Sequence, residues 1–147
     1  LKATAVMQAT GLPAVADDSG LCVDALNGGP GVYSARFGGE GLDDKGRYTL
    51  LLEMLRGQTD RAAHFHTSIV CAFPNGDVLQ DDGEVEGTIA FAPMGENGFG
   101  YDPVFFVPDK RKTFAQLSAE EKAEISHRGK ALRAFKETLR NYLAEHQ

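Results

Sequence analysis

The chain has 147 residues, 42% of them apolar, and a formal net charge of −6. That length and apolar share suit one domain with a sizeable core. The negative charge argues against a non-specific nucleic-acid binder, which gains affinity by displacing counterions with Lys and Arg. No apolar run approaches the roughly 20 residues that span a bilayer, and the first residues do not read as a charged, apolar, small-residue leader, so a cytoplasmic protein with no membrane or nucleic-acid partner is expected. The cysteines, Cys22 and Cys71, lie in apolar or β-like stretches without C-x-x-C spacing, which predicts reduced, inert thiols. Charge is unevenly spread: residues 1–100 carry 6 basic and 14 acidic side chains, residues 101–147 carry 9 and 7. An acidic part that could hold a cation beside a basic part that could hold phosphates suits a metal–polyphosphate ligand; ordinary surface charge explains the same counts.

In chain order, "LKATAVMQAT" reads as the last turns of a helix stopped by Gly11 and Pro13. Residues 14–16 are small and apolar, a short buried strand with Asp17, Asp18 and Ser19 at its C-terminal end, the position where α/β sheets bind ligands. Residues 42–55 predict a helix with Tyr48, Leu51, Leu52 and Leu55 on its buried face, weakened by Gly46. A hairpin follows, with Phe65, Ile69, Cys71 and Phe73 on one face and Asn75-Gly76 suited to a tight turn. Its second arm alternates Val85, Ile89 and Phe91 against a solvated face of Glu84, Glu86 and Thr88. His64 and His66 form a His-x-His pair, but without a third ligand nearby they read as polar strand positions.

The segment "PMGENGFGYDPVFFVPD" departs from a dinucleotide fingerprint: its glycines run G-x-x-G-x-G, and Pro103 disfavours the helix that would hold a pyrophosphate. A ligand loop fits, since glycine lets backbone approach closely, Phe99 can stack on a base, and Asp102 can accept from ring N–H groups. A plain turn into the strand "VFFV" is the alternative. Further on, Ser118 and Glu121 predict a capping box, and Ser126 a second helix start. The stripe Leu132, Phe135, Leu139, Tyr142 and Leu143 predicts that helix's buried face, and Gly129 a break exposing Lys122, His127 and Arg128. Cations at a helix start oppose the macrodipole, so they make sense facing an anion or carbonyl oxygens; a solvated helix face is the alternative.

Strand alternation keeps Asp17 and Asp18 from entering one cleft without a twist, so one acts and the other supports. Mg²⁺ takes few carboxylates and fills its shell with phosphates and water, and a carboxylate beside it could orient or deprotonate an attacking water. A P-loop is missing from the sequence.

The stretches "ADDSGLCVDALNGGPGVYSARF", "GFGYDPVF" and "SAEEKAEISHRGKAL" together resemble, in order, the inosine triphosphate pyrophosphatase family of house-cleaning enzymes. The resemblance implies an α/β fold with an elongated mixed β-sheet flanked by helices, and two lobes around a central nucleotide-binding cleft. It also implies a homodimer and Mg²⁺-dependent hydrolysis of ITP, dITP and XTP to monophosphate and pyrophosphate. By the same resemblance, Asp18 is the catalytic acceptor and a magnesium ligand, Asp17 supports it on the metal side, and Ser19 touches substrate. Phe99, Gly100, Tyr101 and Asp102 match the nucleotide loop, with Phe99 stacking on the base. Lys122, His127 and Arg128 match base-reading and phosphate-side residues, and Lys2 a lysine near the phosphates. Such donors suit the 6-oxo group of hypoxanthine and xanthine over the amino group of adenine. The family's T/S-G-N-x-x-K motif and its preceding acidic residue have no counterpart here. The expectation is a single domain over residues 1–147, truncated at its N-terminus. A purine-nucleotide binder without turnover and a plain interaction module are the competing readings.

Overall fold

The computed structural model of the chain describes residues 2–146. Four helices, α1 (Lys2–Thr10), α2 (Asp44–Met54), α3 (Ala119–Ile125) and α4 (His127–Glu145), pack with six strands. The strands are β1 (Ala14–Val23), β2 (Gly29–Gly31), β3 (Ala62–Ala72), β4 (Val78–Ile89), β5 (Phe105–Val107) and β6 (Lys112–Thr113). They form one sheet in the order β2-β1-β3-β4-β5-β6. The α/β class is as expected, and every ladder described is antiparallel, with none of the parallel pairing of a mixed sheet.

Alternation along β3 builds the fold. Ala63, Phe65, Thr67, Ile69 and Cys71 are buried, while Ala62, His64, His66, Ser68 and Val70 on the other face are half-buried. Phe65 belongs to the larger core with Leu21, Val23, Val85, Ile89, Phe105 and Phe114, closed by Leu51 and Leu55; burying each large side chain stabilises by about 1.5–3 kcal/mol. Tyr48 and Leu52 pack on the same cluster, as the helical spacing predicts, although α2 starts only at Asp44, capped by Asp43. Ile69 and Cys71 form a second cluster under Ala131 and Phe135 of α4. Both cysteines are free thiols, and among the described residues no helix is long and apolar enough to cross a membrane.

Several local expectations are corrected. The strand at residues 14–16 extends through Val23, so Asp17, Asp18 and Ser19 sit mid-strand rather than at its end. Residues 73–77 make a wider loop than a two-residue turn: Gly76 alone takes a positive φ, while the Asn75 side chain accepts from the Asp77 amide at 2.9 Å. Phe91 leaves the β4 face and is 81% exposed, lying over the Arg61 guanidinium at 4.2 Å. Arg61 in turn donates to the Leu55, Ile89 and Ala90 carbonyls, tying the end of α2 to the end of β4. On α4 the predicted stripe holds in part: Phe135 is buried, Leu139 packs on the second cluster and Tyr142 is half-buried against Phe73, whereas Leu132 and Leu143 are 59% and 48% exposed and His127 and Ala131 are buried instead.

Candidate functional site

The close seating of α4 on the sheet and on α3 rests on two glycines. A Cβ at Gly83 of β4 would stand 2.6 Å from Ala131 N and 3.1 Å from Lys130 Cβ, so a bare residue is what lets the first turn of α4 lie on the sheet. Gly129 has no more room, facing the Ala123 carbonyl at the end of α3. It therefore joins α3 to α4 closely instead of loosening them. Ser126 caps the new start by accepting from Gly129 N–H at 3.0 Å, and Ser118 with Glu121 forms the predicted capping box on α3.

This packing drives His127 inward instead of exposing it. The residue is 6% exposed, and its ring stacks on Phe65 at 4.6 Å with a 13° interplanar angle. Burial, then the nearby Arg128, Lys122 and His66 charges, push its pKa down to about 3, so it is neutral at physiological pH. Its Nδ1 is buried without a partner. A lone pair left unpaired is the milder case for a buried group, which favours the tautomer carrying the proton on Nε2.

The glycine-rich loop stands opposite. Although residues 91–99 are exposed, the loop is fastened at several points. Gly100 N–H donates to Asp44 Oδ2 at 2.8 Å and the Tyr101 hydroxyl to the Ser34 carbonyl at 2.6 Å. Asn97 donates to the Ala115 and Leu117 carbonyls. Asp102, 3% exposed, accepts from Phe99 N–H at 3.0 Å and from Lys122 Nζ at 2.5 Å. Asp102 therefore clasps the loop through Oδ2, which takes both bonds. Phe99 is 57% exposed, with Lys122 Nζ 4.6 Å and the Arg128 guanidinium 5.0 Å from its ring centre. These are cation–π distances.

Between loop and helix lies a cleft of about 270 Å³. Eight of the residues singled out from sequence line it: Ser19, the run Phe99, Gly100, Tyr101 and Asp102, and Lys122, His127 and Arg128. The other three stand apart. Asp17 shares a neighbouring groove with Arg128, its Oδ2 4.0 Å from Arg128 Nε. Asp18 pairs in register with Ser68, on the opposite face of the sheet from Asp17, whose partner is Ile69. Lys2 reaches the Asp17 carbonyl at 3.3 Å. The alternation expected of the two acids is what the ladder displays. Sequence reasoning missed Ser34, Asp44 and Arg47, which also line the cleft, and Thr67, which holds Ser19. The stretch "YSARF" was a signal for Ser34; nothing in residue type or spacing marked the others.

A magnesium ion fits one of the acids better than the other. Asp17 already faces a guanidinium, whereas Asp18 is exposed with no ion pair among the described residues. Nor does any group of three or more His, Cys, Asp or Glu among those residues form a metal cage. A single hard carboxylate completed by phosphate and water is a donor set Mg²⁺ accepts.

The Ham1 family model matches residues 1–138. A dITP/XTP pyrophosphatase of Thermus thermophilus is 54% identical over 143 residues, covering 96% of this chain and 69% of that protein. One from Streptomyces coelicolor is 50% identical over 145 residues, 97% of this chain and 72% of that protein. Among solved structures, the Staphylococcus aureus Ham1 protein superposes with a TM-score of 0.93 at 46% identity, over 97% of this chain and 74% of that one.

Proposed function

This chain belongs to the Ham1 family, and on that premise we propose that it hydrolyses deaminated purine nucleoside triphosphates, ITP, dITP and XTP, to the monophosphate and pyrophosphate, with Mg²⁺. The observation that carries the reading is the convergence of three separated motifs on one cleft, where Lys122, Arg128 and neutral His127 surround an exposed Phe99. Two fixed cations favour an anionic ligand. A neutral imidazole offering an Nε2–H suits the 6-oxo acceptor of hypoxanthine or xanthine, and the adenine amino group would meet donor against donor. Phe99 supplies the face on which a base stacks, with Lys122 or Arg128 displaced from it.

In this reading Asp18 accepts a proton from the attacking water and is the carboxylate that would hold Mg²⁺, with Asp17 supporting from the adjacent position and Lys2 near the phosphates. The metal would supply charge neutralisation at the phosphate oxygens. A homodimer in the cytoplasm completes the proposal, supported by family resemblance; sedimentation at micromolar concentration tests the dimer. A second reading, a binder without turnover, draws on the position of Asp18 off the cleft. Incubation with Mg²⁺ and ITP, XTP, GTP or ATP in parallel, assaying pyrophosphate separately from orthophosphate, decides between them. Pyrophosphate from ITP and XTP supports the enzyme, while ITP-dependent stabilisation without release supports the binder.

A further inference from the structure

Resting on that nucleotide reading, we propose that Thr67 is a positioning residue that commits the Ser19 hydroxyl to donate a hydrogen bond to the bound ligand. The site would then demand an acceptor oxygen of the nucleotide at this point.

Thr67 is 0% exposed and lies directly opposite Ser19 in the β1–β3 ladder, with 2.7 Å between their hydroxyl oxygens. Ser19 is the partner the Thr67 hydroxyl has among the described residues. A buried O–H that donates nowhere is costly, so the Thr67 proton points at Ser19. The second neighbour of Ser19 Oγ is Arg128 Nε at 3.2 Å, and a guanidinium nitrogen can only donate. Both lone pairs of Ser19 Oγ are then occupied. What remains is its own proton, on the wall of the cleft. The other cleft serine shows the contrast: Ser34 Oγ accepts from Leu21 N–H at 2.9 Å and donates to the Gly31 carbonyl at 2.7 Å. Its proton is used within the protein, whereas that of Ser19 is turned outward. Arg128 gains from the same arrangement, since a fixed acceptor beside Asp17 holds its guanidinium near Phe99.

The test is a double-mutant cycle on ITP affinity, read by equilibrium dialysis and, where turnover occurs, by KM and kcat separately. Thr67→Val should weaken ITP binding about fivefold, the size of one neutral hydrogen bond, with kcat changed less than KM. Thr67→Ser should restore binding to near wild type. Because Thr67 acts through Ser19, Thr67→Val should add nothing in a Ser19→Ala background. Equal and additive losses in the two backgrounds, or no rescue by Thr67→Ser, would overturn the assignment. Ser19→Ala leaves β3 untouched and survives a poorly folded Thr67→Val; unchanged ITP affinity in that variant overturns the assignment alone. Wild-type protein that binds ITP without hydrolysing it strikes the enzymatic reading only, and the cycle is then judged on binding. Failure of wild type to bind ITP overturns both.

Discussion

Gly83→Ala tests whether the cleft depends on the close seating of α4. Residue 83 is buried in β4, opposite Thr67, and its φ is not one that demands glycine. Local propensity alone predicts a gain of about 0.5–1 kcal/mol, because glycine is entropically costly inside a strand. The surroundings predict the reverse. The added Cβ would come 2.6 Å from Ala131 N and nearer still to the His127 carbonyl, both backbone atoms of α4 that cannot swing away like a side chain. Overpacking of this kind costs about 1–3 kcal/mol, leaving a net loss of roughly 0.5–2 kcal/mol, or about 2–7 °C in Tm for a chain of this length. Since His127 and Arg128 ride on the displaced turn, ITP should also stabilise the variant less than wild type in parallel thermal melts. A variant as stable as wild type, with an undiminished ITP-induced rise in Tm, would refute the packing account.

Acid should destabilise the fold through His127. Its folded pKa of about 3 lies below the ordinary value of about 6.5, so between these limits the unfolded chain binds a proton that the native ring refuses. Stability therefore rises with pH across that window and levels above it. Urea titrations should show a wild-type slope exceeding that of His127→Phe by up to ~1.4 kcal/mol per pH unit; equal slopes count against a buried neutral ring. Asp102→Asn removes the carboxylate from a largely buried pair and should cost about 3 kcal/mol in urea unfolding. Phe99→Ala should leave stability nearly unchanged while weakening ITP affinity by ~1–3 kcal/mol if the ring stacks on the base, with unaltered affinity removing the stacking role. Asp18→Asn should abolish pyrophosphate release and retain ITP binding; wild-type turnover would remove Asp18 from the chemistry.

Periodicity made the sheet legible. Phe65, Ile69 and Cys71 against Val85 and Ile89 have the alternation of strands buried on one face, and they are buried. The caps at Ser118 and Ser126 were equally readable, because a side-chain oxygen ahead of a helix has a local partner. What failed were readings that needed a neighbour distant in sequence. Leu132 and Leu143 fit a helical stripe, but α4 turns its small side, Ala131, toward Gly83. Phe91 continued the alternation of β4 on paper, yet the strand ends at Ile89 and the ring goes to Arg61. Thr67 and Asp44 act through single hydrogen bonds to residues distant in sequence, which leave no trace in local spacing.

The cations of the cleft illustrate the same division between residue type and placement. Sequence puts Lys122, His127 and Arg128 near two helix starts, where three positive charges would repel one another and oppose the α4 dipole. The structure resolves this without losing any of the three. Asp102 engages Lys122 at 2.5 Å, and Ser19 holds Arg128 through a neutral acceptor. Burial against Phe65 keeps His127 uncharged. An anion entering the cleft meets one partly neutralised ammonium and one guanidinium free of any buried carboxylate, while the imidazole contributes a directional polar contact. In the proposed reading, field and hydrogen-bond readout fall on adjacent residues of one helical turn, His127 and Arg128, and that turn is seated on the sheet by the close backbone approach at Gly83.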